Sequence, residues 1–104
     1  MTVPAHIQMT IAQSYATLAE SITHDKPEAE RAILAPAFAD RATIKLQTYE
    51  YDPLAVLVQR IDPRGNTMIV HAQWVGVGKN RENTVDRWLL LDGTWRLAER
   101  AKSR

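Results

Sequence analysis

The stretch Thr84-Val85-Asp86-Arg87-Trp88-Leu89-Leu90-Leu91-Asp92-Gly93-Thr94-Trp95-Arg96-Leu97-Ala98-Glu99-Arg100 decides how this chain is read. Asp92-Gly93 tolerates the positive φ of a tight hairpin turn, and both flanks carry the aliphatic and aromatic residues of paired strands. A tryptophan stands on each arm. Successive strand side chains leave on opposite faces, so Thr84, Asp86, Trp88 and Leu90 share one side of the first arm and Val85, Arg87, Leu89 and Leu91 the other. Neither side is wholly polar.

Upstream, residues 67–77 read as a long strand rich in β-branched and aromatic residues. Its most apolar set is Met68, Val70, Ala72 and Trp74, and the opposite set, Ile69, His71, Gln73 and Val75, is mixed. Asp62-Pro63-Arg64-Gly65-Asn66 reads as a turn. Before it, Leu54, Val56 and Val58 begin an alternation lasting to about Ile61, for which a helix stays open as an alternative. Ile44, Leu46 and Thr48 alternate with Lys45, Gln47 and Tyr49 ahead of a break at Asp52-Pro53.

The N-terminal third has a different period. Ile7, Ile11, Tyr15, Leu18 and Ile22 recur at spacings of three and four, which predicts a helix over about 4–23 with Tyr15 in its apolar stripe. Thr23-His24-Asp25 supplies capping side chains, and Pro27 and Glu28 suit a first helical turn. Ala29, Ala32 and Ile33 give a second helix a short apolar face, ending near Pro36. Two helices followed by four or more strands predict an α+β fold, with helices covering one face of a mainly antiparallel sheet. Apolar side chains on both sheet faces predict that one face packs on the helices and the other on a second copy, as a homodimer.

The chain has 104 residues, 45% of them hydrophobic and 24% charged, which suits a single domain spanning 1–104. Thirteen basic and twelve acidic side chains leave a net charge of +1, too weak a field for non-specific binding to nucleic acid or to an anionic membrane. Arg96, Arg100, Lys102 and Arg104 read as a solvated basic end. With no cysteine, disulfides and thiolate metal sites are excluded. Thr10, Gln13 and Ser14 interrupt the first apolar run, so neither a signal peptide nor a membrane span is expected, and a cytoplasmic location follows.

Taken in order, these elements resemble the nuclear transport factor 2-like (NTF2-like) cone, in particular its small bacterial SnoaL-like branch. The resemblance is carried by the first helix with Tyr15 and Leu18 and by Leu34-Ala35-Pro36-Ala37-Phe38 at the end of the second. Val58 to Trp74 around a polar turn, and Arg87-Trp88 to Trp95-Arg96-Leu97, complete it. It implies a curved sheet wrapped around helices to leave an open-ended cone, with dimerisation through the sheet's outer surface. The family's cones include isomerases, dehydratases, cyclases, binding domains and assembly modules, so the fold does not select a function. The segment between Phe38 and Val58 is short for the family, which implies an abbreviated mouth and a shallower pocket.

A steroid-isomerase-like member would use a tyrosine on the first helix, a carboxylate base after the second and a protonated acid on a later strand. The resemblance places Tyr15, Asp40 and Asp86 in these roles: Asp40 as base, Tyr15 and a neutral Asp86 as donors to a developing oxyanion. Counted back from the Asp-Gly turn, Asp86 lies one residue from the family's acid, which would turn it to the opposite face. The competing reading is a structural tyrosine with two paired or solvent-facing carboxylates.

Tyr15, Trp74, Trp88 and Tyr49 could line a ligand pocket, with Tyr51 and Trp95 nearby, whereas tryptophans on adjacent strands more often fill a core. His71 could act as a base or as a group at the dimer surface. No histidine and carboxylate spacing matches a metal site, no phosphate-binding loop or nucleophile elbow is present, and no cofactor is expected. The first expectation is a protein that binds a small apolar organic molecule in its cone, with isomerase-, dehydratase- or hydrolase-like acid–base chemistry open to it. The alternative is a non-catalytic dimerisation module whose pocket is filled.

Overall fold

The computed structural model describes residues 3–24, 26–36, 53–76 and 81–103. Helix α1 (Ala5–Thr23) and the short α2 (Pro27–Ile33) precede four strands, β1 (Pro53–Arg64), β2 (Thr67–Gly76), β3 (Arg81–Leu91) and β4 (Thr94–Ser103). The strands form one antiparallel sheet in the order β1-β2-β3-β4. The first helix lies against it, giving a curved-sheet α+β fold.

The predicted stripe on α1 is the buried one. Ile11, Tyr15 and Leu18 are fully enclosed, and Ile7 packs at the margin. Two backbone amides, of Ile7 and Gln8, donate to the Pro4 carbonyl and start the helix. Of the capping residues expected at 23–25, Asp25 and the Thr23 side chain lie outside the described residues. The N-cap of α2 is Lys26, which makes no side-chain capping bond, and Glu28 and Glu30 in the first turn complement the helix dipole instead. The end of α2 is fastened to β4: the Ala35 amide donates to the Leu97 carbonyl at 2.8 Å, and Arg96 Nη1 donates to the Ala32 carbonyl at 3.0 Å.

Two strand boundaries depart from expectation. The segment Asp62-Pro63-Arg64 continues β1, and the connection to β2 is the two residues Gly65-Asn66, with Gly65 at φ 66°. Pro63 is tolerated because it stands near the strand end at the edge of the described sheet, where its missing N–H costs little. At the other end β4 runs to Ser103, so the residues read as a solvated basic end are largely strand. The strand reading of 54–61 holds over its helical alternative. The expected strand at 43–49 lies outside the described residues.

Alternation sorts the sheet. Met68, Val70, Ala72 and Trp74 on β2, Thr84, Asp86 and Trp88 on β3 and Leu97 on β4 are buried against α1. The other face carries Ile69, His71, Gln73, Val75, Val85, Arg87 and Glu99, all partly or fully exposed. The hairpin turns on Asp92 (φ 51°) and Gly93 (φ 78°), the successive positive-φ residues for which Asp-Gly is suited.

Candidate functional site

The sequence-nominated residues meet where α1 crosses β2 and β3. The Tyr15 ring stands edge-on to Trp88, 5.0 Å between centroids at 67°, and to Trp74, 5.9 Å at 78°. Both are favourable aromatic geometries. Tyr15, Trp88 and Asp86 have no solvent exposure, and Trp74 and Thr84 almost none. Asp86 is therefore on the helix-facing side with Trp88, as parity predicts and contrary to the count from the hairpin turn.

A directed hydrogen-bond network joins these groups. An indole N–H can only donate, so each tryptophan fixes the hydroxyl that it contacts. Trp88 Nε1 donates to the Tyr15 hydroxyl at 3.0 Å, leaving the phenol proton to be donated to Asp86 Oδ2 at 2.5 Å. Trp74 Nε1 donates to Thr84 Oγ1 at 3.0 Å, and Thr84 in turn donates to the same Oδ2 at 3.1 Å. Arg100 Nε donates to Asp86 Oδ1 at 3.2 Å, and its guanidinium lies 4.4 Å from the centre of the Trp74 ring. Both carboxyl oxygens thus act as acceptors. That is the arrangement of an ionised carboxylate, the reverse of the neutral donor expected for an oxyanion site.

The electrostatics of burial act on both acids. Burial pushes the Asp86 carboxyl above its ordinary range, against the opposing pull of the Arg100 charge and of the hydrogen bonds from Tyr15, Thr84 and Arg100. Burial also pushes the Tyr15 phenol far above its ordinary range. The neighbouring Asp86 charge and the bond to it add to that rise, and Trp88 and Arg100 work against it. The phenol stays protonated.

Of the nominated catalytic set, the structure brings Tyr15 and Asp86 together, and of the ligand set Tyr15, Trp74 and Trp88. Asp40 and Tyr49 lie outside the described residues. Two further members, Thr84 and Arg100, are absent from the site that the sequence predicts, which assigns Arg100 to the solvated end. Its entry into the core depends on a one-residue bulge. Trp88 pairs with Leu97 but Arg87 pairs with Glu99, so Ala98 is left over and Arg100 comes opposite Asp86. The order Asp86-Arg87 against Glu99-Arg100 was the available signal, since antiparallel pairing of the two dipeptides joins opposite charges on both faces.

The described residues also line two open features, one apart from this cluster and one shared with it. A cleft of about 410 Å³ between α1 and β1 is lined by Gln8, Met9, Ala12, Val56, Leu57, Val58 and Ile61, with Met9 and Leu57 well exposed. On the outer side a groove of about 430 Å³ is lined by Ile69, Val85, Arg87, Glu99 and Ala101 together with Asp86 and Arg100 of the cluster. His71 lies on that face, its Nε2 3.9 Å from Asp62 Oδ2. Among the described residues no group of three histidine, aspartate or glutamate side chains could hold a metal, and no helix is long and apolar enough to cross a membrane.

The helices packed on a curved antiparallel sheet define the class: an α+β protein with the NTF2-like fold. An NTF2-like protein of unknown function from Shewanella baltica matches with a TM-score of 0.71 at 10% identity, covering 100% of this chain and 99% of that one. A protein of unknown function with a cystatin-like fold from Nostoc punctiforme matches at 0.62 and 17% identity, covering 98% and 93%. An NTF2-like protein of unknown function from Burkholderia xenovorans matches at 0.55 and 15% identity, covering 92% and 84%. At such identities the likeness is one of fold. No family model matches the sequence, and no curated protein does.

Proposed function

We propose that this chain is a non-catalytic assembly module, a cone filled by its own side chains whose outer sheet face joins a second copy. The observation that carries this reading is the closed network at Asp86. Tyr15, Thr84, Trp74 and Trp88 direct their polar hydrogens at one another or at the carboxylate. Isomerase-, dehydratase- or hydrolase-like chemistry through Tyr15, Asp40 and Asp86 requires a substrate to displace one of these buried bonds. Each such group left unpaired costs about 1–3 kcal/mol.

The outer face suits a two-fold contact. Ile69, Val75, Val85 and Leu89 supply half-buried apolar surface there. Arg87 and Glu99 supply both signs of charge, so the patch is self-complementary. Four strands of this length present a face of roughly 600 Å², near the ~800 Å² per partner of a standard interface.

Sedimentation of the wild type is expected to give a dimer, and Val85→Asp a folded monomer. A monomeric wild type would refute the assembly. In a thermal-shift screen of hydrophobic ketones, acids and lactones the wild-type interior is expected to bind nothing. Trp88→Ala, which empties a ring-sized space, should gain binding of benzene-sized compounds. A compound that stabilises the wild type and shifts the Tyr15 and Trp88 side-chain resonances would overturn the filled interior.

A second reading, binding of a small apolar organic molecule, is favoured by the α1–β1 cleft. Its volume falls in the ~300–1,000 Å³ range of small-molecule sites and its lining is apolar apart from Gln8. The flexible Met9 suits a site of adaptable shape. Stabilisation of the wild type that disappears in Met9→Glu would select this reading.

A further inference from the structure

The Asp92-Gly93 turn sets a register that the end of β4 does not follow. From Leu91↔Thr94 the ladder runs regularly to Trp88↔Leu97. Continued without interruption, it would bring Ala98 opposite Arg87, Glu99 opposite Asp86 and Arg100 opposite Val85. Instead the pairing skips Ala98 and gives Arg87↔Glu99 and Asp86↔Arg100.

The uninterrupted register is ruled out by charge. It would carry Glu99 onto the helix-facing side beside the fully buried Asp86, placing two carboxylates together in apolar surroundings. Arg100 would leave the core for the outer face, and Arg87 would lose its ion pair with Glu99. A bulge forfeits regular pairing at one residue. Ala98 is small enough to be enclosed there, 8% exposed.

We propose that Asp86, Glu99 and Arg100 together act as a register selector for β4, in which the buried ion pair rewards the bulged alignment and Glu99 penalises the regular one. Selection of register is the best attested use of a buried polar pair, because a one-residue slip exchanges every side chain between faces. This role is independent of ligand binding and of assembly. It accounts for a bulge that the turn does not require.

The experiment exchanges the two selector residues on β4. In the full-length variant Glu99→Arg/Arg100→Glu, composition and net charge are unchanged. The cation now stands at position 99, where only the regular ladder brings it opposite Asp86. Cross-strand backbone NOEs from Asp86 are expected to move from position 100 to position 99, and the Ala98 amide to gain protection from hydrogen exchange.

Arg100→Glu alone sets an acid against Asp86 in both registers and is the reference for stability. The exchanged variant is expected to exceed it by at least about tenfold in the folding equilibrium constant. Two results would overturn the proposal. One is an exchanged variant that keeps Asp86 opposite position 100, and the other is an exchanged variant no more stable than Arg100→Glu, whether or not either chain folds.

Discussion

Two ion pairs tie β3 to β4 one residue apart, on opposite faces of the same sheet. Arg87 and Glu99 meet at 2.9 Å with their side chains 36% and 62% exposed, whereas Asp86 and Arg100 meet at 3.2 Å with 0% and 11%. The shorter contact is the weaker one. Water screens the outer pair and solvates either ion when the other is removed, so its net contribution is at most about 1 kcal/mol. The inner pair has lost that solvation, and each ion depends on the other and on the surrounding donors.

The largest expected effect comes from breaking the inner pair on one side. Arg100→Met leaves the Asp86 carboxylate buried with only its two hydroxyl donors and is expected to lose about 3–5 kcal/mol in urea unfolding at neutral pH. The loss has a pH signature. Without the guanidinium the native carboxyl, already raised by burial, rises further, and the native state binds the proton more tightly than the unfolded chain. Stability of the variant therefore falls as pH rises from the unfolded value of about 3.9 through the raised native value, and is regained as pH is lowered again. A pH-independent loss would mean that the missing stem, not the missing charge, is responsible.

The next effect is at the phenol. Tyr15→Phe removes a donor from Asp86 and an acceptor from Trp88, and a loss of about 1–3 kcal/mol is expected. Because the native phenol titrates far above the unfolded value of about 10, the unfolded chain releases that proton first. Its contribution is complete below that pH and declines above it. Wild-type stability should therefore fall steeply in alkali, and Tyr15→Phe should flatten the curve. Equal alkaline slopes in the two proteins would place the titration elsewhere.

The smallest effect is on the outer face, where Glu99→Ala is expected to change stability by less than about 1 kcal/mol and to lose what effect it has in high salt. A loss comparable to that of Arg100→Met would erase the contrast between the faces.

Much of the fold was legible because periodicity reports burial directly. The spacing of Ile11, Tyr15 and Leu18, the alternation through Met68, Val70, Ala72 and Trp74, and the Asp-Gly turn each declare their partner surface locally. Tyr15 was also legible on the apolar stripe of its helix, and Asp86 as sharing a strand face with Trp88. Their state was not. Whether the carboxyl donates or accepts depends on Trp74, Trp88, Thr84 and Arg100, which come from three strands and approach only when the sheet curves around α1.

The sequence alone determined the helices-then-strands order, the alternating sets of side chains on β2 and β3 and the placement of Tyr15 in the apolar stripe, since each follows from the fixed periods of helix and strand. Tertiary structure decided that Pro63 stays within a strand, that Ala98 is left unpaired and that Arg100 leaves the solvent for Asp86. A bulge shifts every later side chain to the other face, and what makes it favourable is a charge contact formed only after the strands have paired.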